Sequence, residues 1–167
     1  MTMKKTIILI ITCVCVAASA NAQQGSGRLS LGTGLLYKNG MDITLAYEHE
    51  MNYRHMWEFF VNGYLQWAEC ASCGHICPES FWRNYRSYGF GVAYKPRGRN
   101  YYGSLRIGAS AGSDTNKFLG GLHLGYEHNY VLRAGWTLYW QVKSDVMIKG
   151  ADVLRAGVVL GVKLPMK

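Results

Sequence analysis

Hydrophobic positions in this chain alternate with polar or small ones at a period of two, and the pattern recurs in eight segments. The last segment shows it most plainly. Leu154, Ala156, Val158, Leu160, Val162 and Leu164 share one parity, and Arg155, Gly157, Val159, Gly161 and Lys163 the other. A β-strand sends successive side chains to opposite faces, so each segment reads as a strand with one oily and one polar or small face. In the third, Trp57, Phe59 and Val61 oppose Glu58 and Asn62; in the seventh, Leu138, Trp140 and Val142 oppose Gln141, Lys143 and Asp145. Turn-forming residues separate the runs, among them Lys38-Asn39-Gly40, Pro96-Arg97-Gly98 and Gly112-Ser113-Asp114.

Eight such segments predict an all-β fold, an eight-stranded antiparallel up-and-down β-barrel of the outer-membrane type. In that fold the oily face meets lipid and the polar face fills the lumen. At eight strands the lumen is filled by side chains and leaves no wide pore. The inward parity carries Arg28, Glu48, Glu58, Arg106, Glu127, Lys143, Asp145, Arg155 and Lys163, nearly balanced in sign, which predicts a lumen ion-pair network. Trp57, Trp67, Trp136 and Trp140 fall on the oily parity and predict a membrane aromatic girdle. The rise from Trp57 to Trp67, at about 3.3 Å per residue and a tilt of about 40°, is roughly 25 Å, the height of an outer-membrane apolar band. Periodicity does not say which face is inside, so a soluble lipocalin-like barrel with oil at its centre is the alternative.

The beginning of the chain bears on where it goes. Lys4 and Lys5 precede an apolar run from Thr6 to Ala17, and small residues lead to Ala20-Asn21-Ala22. This is the layout of a cleavable signal peptide, residues 1–22, followed by a single barrel domain, residues 23–167. Loss of Lys4 and Lys5 lowers the formal charge of +8 by two. The remaining bases are dispersed, so the charge is a poor argument for nucleic-acid binding. With both termini in the periplasm, the longest connection, a loop at about 68–83, faces outside, and the short turns Asn52 to His55, Lys95 to Asn100 and Leu132 to Ala134 face the periplasm as basic segments.

That loop carries the chemistry most open to interpretation. Cys70, Cys73, His75 and Cys77 lie close together, which suits either a metal site or a disulfide between two of the three cysteines with one thiol left over. An intermolecular or reactive thiol is the third reading. No catalytic set can be picked out from the sequence, the one weak pairing being His123 with Glu127 on the inward face. No cofactor motif and no small-molecule substrate are indicated, so the chain does not read as an enzyme.

Longer stretches carry a resemblance. The segments AYEHEMNYRHMWEFFVNGYLQW, CASCGHICPESFW, GRNYYGSLRIGASAGSDTNKFLGGLHLGYEHNY and GWTLYWQVKSDVMIK resemble the TraO family of conjugative-transposon proteins from Bacteroidetes. Membership implies a non-enzymatic outer-membrane component or accessory of a conjugal DNA-transfer apparatus, with outer-membrane lipid and other apparatus proteins as partners and no direct nucleic-acid contact. The alternative is a surface-binding or adhesion barrel whose cysteine loop takes a metal or ligand. The chain ends Leu164-Pro165-Met166-Lys167 without the terminal aromatic common in outer-membrane barrels, and Pro165 is expected to stop the last strand by Leu164. The barrel reading predicts that the protein partitions with the outer membrane and migrates faster on a gel before boiling than after. Unchanged mobility in a folded sample would contradict it.

Overall fold

A computed structural model describes residues 27–52, 54–67, 74, 84–97, 102–114, 116–132, 135–149 and 152–166. Residues 1–22, where a signal peptide is expected, and Trp82, Cys70, Cys73, His75 and Cys77 lie outside the described residues. Eight strands follow one another: β1 (Gly27–Leu36), β2 (Gly40–Asn52), β3 (His55–Gln66), β4 (Tyr85–Pro96), β5 (Gly103–Ser113), β6 (Phe118–Val131), β7 (Thr137–Ile148) and β8 (Leu154–Met166). Each pairs antiparallel with its neighbours in sequence, and β1 pairs with β8, which closes the barrel. Closure removes the free sheet edges that hydrocarbon does not tolerate. The first strand start and last strand end sit at one end, with the short connections after β2, β4 and β6. The long connection after β3 sits at the other, the loop end.

The oily side faces outward. Leu31, Leu35, Phe59, Phe90, Leu105, Ile107, Leu122 and Leu160 are all exposed. The buried apolar cluster among the described residues is only Ala46, Phe60 and Ala93. Buried positions are instead held by Asp42, Glu48, Glu58, Lys95, Arg106, Glu127, Lys143, Asp145 and Lys163. This rules out the lipocalin-like alternative, which needs its oily side chains at the centre. Among the described residues no helix is long and apolar enough to cross a membrane; the crossing elements of this fold are its strands.

Two glycine positions show why the inward parity is so rich in small residues. Gly32 and Gly161 pair across the β1–β8 seam, and the Tyr139 ring lies over both. A Cβ on Gly161 would sit 2.6 Å from the ring, so the tyrosine lies flat only because the wall beneath it is bare. At the β1–β2 hairpin, Lys38 and Asn39 take φ of 60° and 56°, the left-handed pair that matches the twist of a tight hairpin.

Two sequence expectations are corrected. Lys95 does not begin a turn: β4 runs on to Pro96, Arg97 bridges to Ser104, and Lys95 points into the lumen. The β4–β5 ladder lapses between the Tyr94–Ile107 pair and that bridge, where Pro96 has no N–H to give. Nor does β8 stop by Leu164, because Pro165 and Met166 pair with Arg28 and Gly27. The β7–β8 ladder ends at Lys163, leaving Pro165 with a neighbour on one side only, a position where proline is tolerated.

Leu160, at the middle of β8, is 62% exposed on the outer wall. Its replacement by Arg is expected to weaken folding into phospholipid vesicles by about 2–4 kcal/mol, the penalty for a cation at the bilayer midplane. Urea titration of the folded fraction measures this. A negligible change would place that face away from lipid.

Candidate functional site

The lumen is built in layers, each assembled from strands far apart in sequence. One layer in from the terminal rim, Lys95 Nζ donates to Glu48 Oε1 at 2.5 Å, Glu58 Oε2 at 2.6 Å and Glu127 Oε2 at 2.6 Å. Lys163 Nζ donates to Glu48 Oε1 at 2.6 Å and also to Glu127 Oε1. Arg106 closes the set, with Nη2 2.7 Å and Nε 2.8 Å from Glu58 Oε1. Three carboxylates thus meet three cations. Their oxygens stand within 4.8 Å of one another, a donor set of the kind a cation would use. The Lys95 ammonium already bonds to all three.

One layer further, Lys143 Nζ donates to Asp42 Oδ2 and pairs with Asp145 Oδ2, both at 2.8 Å. His123 approaches Asp145 from the other side, Nδ1 to Oδ1 at 2.9 Å, and its Nε2 lies 2.6 Å from Ser110 Oγ. Near the loop end Tyr64 donates to Asp152 Oδ2 at 2.8 Å, and the Arg155 guanidinium stacks over the Tyr64 ring at 3.8 Å. At the terminal rim Glu50 pairs loosely with Arg28 at 3.8 Å and more closely with Arg97 at 3.2 Å.

Eight of the nine lumen residues named from sequence therefore find ion-pair partners. Arg155 stands apart: it is buried, yet its Nε and Nη2 have no hydrogen-bond partner and its contact is with an aromatic face. Lys95 and Arg97 were missed, because Lys-Pro-Arg-Gly reads as a turn. The signal that could have found them is parity, since both continue the inward positions of β4. The suggested pairing of His123 with Glu127 does not form: His123 turns to Ser110 and Asp145, and Glu127 is taken by Lys95 and Lys163.

On the outer wall, Trp57, Trp136 and Trp140 lie toward the terminal end, and Trp67 follows the loop-end limit of β3. Trp57 packs against Tyr94 at 5.5 Å, Trp140 against Tyr126 at 5.8 Å and against His128 at 5.7 Å. His55 joins this belt by stacking on Tyr94, whose hydroxyl it meets. Rings with an apolar body and a polar tip suit a membrane–water boundary.

The centre is packed shut. A residual cavity of about 10 Å³, lined by Thr44, Glu58, Asn62, Arg106, Gln141 and Lys143 among others, has room for about one water. Among the described residues the lumen leaves no passage wide enough for a strand of DNA or a filament.

The fold is shared with solved outer-membrane barrels. A major outer membrane protein from Thermus thermophilus superposes with a TM-score of 0.57 at 10% identity, covering 86% of this chain and all of that one. The Yersinia pestis outer membrane protein Ail, determined in a phospholipid bilayer nanodisc, gives 0.57 at 17% identity with the same coverages. The de novo designed barrel TMB2.3 gives 0.50 at 12% identity over 87% of this chain and 98% of that one. At these identities the likeness is one of fold. No family model and no curated protein matches the chain. The chain is an outer-membrane-type barrel with a solid, ion-paired interior.

Replacing Lys95 by Met leaves three buried carboxylates facing two cations, and is expected to destabilise the barrel by about 3–5 kcal/mol. Arg28→Ala, at the loosely paired rim, is expected to cost less than about 1 kcal/mol. Denaturant midpoints in detergent micelles compare the two, and equal losses would show that the Lys95 cluster is not special.

Proposed function

We propose that this barrel is an outer-membrane accessory of a conjugal DNA-transfer apparatus, acting as a fixed platform rather than a conduit. The observation that carries the reading is the resemblance of its long sequence stretches to the TraO family. The closed lumen supports the platform half of it. A wall plugged by Lys95, Lys163 and three glutamates has no path for DNA, so any part in transfer lies at the two ends of the barrel.

The terminal end is less basic than its sequence suggests. Lys95 is consumed inside the lumen and Arg97 is paired with Glu50, so neither is offered to a periplasmic partner. Arg54 remains exposed at this end, and the neighbouring aromatic belt of Trp57, Tyr94 and Trp140 offers partners a contact surface beside it. The surface-binding alternative depends on the Cys70–Cys77 segment, which lies outside the described residues.

A clean deletion in a donor cell is expected to lower transfer frequency by at least about tenfold without slowing growth, with restoration by a plasmid-borne copy. Normal mating by the deletion strain would remove the conjugation reading and leave the fold untouched.

A further inference from the structure

Three side chains from three adjacent strands meet on the inner wall. Ser110 Oγ on β5 lies 2.6 Å from His123 Nε2 on β6, and His123 Nδ1 lies 2.9 Å from Asp145 Oδ1 on β7. The ladders set this arrangement. His123 is directly opposite Asp145, and Ser110 is opposite Gly121, one pleat along from His123. Asp145 is held through its second oxygen by Lys143, which Asp42 anchors in turn. Phe60 meets the His123 ring edge-on at 5.0 Å and backs the imidazole. Hydroxyl, imidazole and carboxylate in this order form nucleophile, base and orienting acid, a set recognised by geometry and not by position in a chain. The His123–Asp145 approach is close but off the line of a hydrogen bond. Such contacts are often misaligned in empty sites and tighten when substrate binds.

Ser110 is the most open of the three side chains. His123 is 1% exposed, whereas Ser110 is only partly buried. Its ladder partners on both sides, Gly91 and Gly121, carry no side chain. The next inward pair toward the loop end, Gly89 and Gly112, is bare as well. A Cβ at Gly121 would stand 2.8 Å from Ser110 Oγ and 2.9 Å from Met147 Sδ, so any larger residue there would crowd the hydroxyl. Phe60 lies over Gly91 and Met147 over Gly121, one on each side of the hydroxyl, and Leu119, opposite Gly112, is buried.

We propose that Ser110 is a nucleophilic serine, with His123 as its general base and Asp145 as the positioning residue, and that it takes acyl groups from carboxylic esters. Ser110 Oγ bonds to the ester carbonyl carbon as its proton passes to His123 Nε2. The bond to the alcohol oxygen then breaks, and that oxygen leaves with the proton from His123. Water attacks the acyl-serine by the same path, giving the free acid and restoring the hydroxyl. This activity does not rest on a role in conjugation.

The full chain, folded in dodecylmaltoside micelles, is treated with an alkyl fluorophosphonate and mapped by mass spectrometry. The expected result is an adduct on Ser110 that is absent from Ser110→Ala, a variant that loses one hydroxyl and keeps the fast-migrating unboiled band. His123→Gln is expected to slow labelling by about 100-fold or more, the scale of a lost general base. Asp145→Asn is expected to slow it with mobility retained, and an unchanged rate would remove Asp145 from its role. Release of nitrophenol from p-nitrophenyl decanoate is expected from the wild type and not from Ser110→Ala. A folded wild type that takes no label, labelling that persists in Ser110→Ala, or ester turnover indifferent to that substitution would overturn the proposal.

Discussion

Glu48, Glu58 and Glu127 bring carboxylate oxygens within 4.8 Å of one another inside a closed wall, and Lys95, Lys163 and Arg106 offset their charge there. The rest of the barrel depends on that compensation. In a soluble fold the centre is held by apolar contact; here the apolar surface has been given to the outside. Taking ions out of water carries a penalty of several kcal/mol each, recovered only when every partner is in place. The wall must therefore hold its register closely, since a slip of one residue would send the charged set into lipid and leave oil facing charge.

The same packing sets bounds on function. With the middle filled by ion pairs and a residual cavity of about one water's size, the lumen of the described residues holds no wide channel. Function belongs to its ends and to any chemistry its inner wall supports. The terminal end has lost two of its apparent surface charges to internal pairs. The half toward the loop end is different in kind: Ser110, His123 and Asp145 bring a hydroxyl, an imidazole and a carboxylate together on the wall.

The eight strands, their outward faces and the inward placement of charges such as Lys143, Lys163 and Glu127 were legible from one residue to the next, because a strand's two faces are written into its period. Lys95 was misread because proline and glycine nearby look like a turn; only the neighbouring strand shows that the ladder merely skips Pro96. Pro165 misled in the same way, since its tolerance depends on β7 ending before it reaches that row.

Partner choice was beyond the sequence altogether. Which carboxylate Lys95 meets, and that His123 turns toward Ser110 and Asp145 and not Glu127, follows from the stagger between strands and from closure of β8 onto β1. Those quantities join residues tens of positions apart. Alternation says which wall a side chain points from, and the shear of the closed barrel brings the walls to a common height.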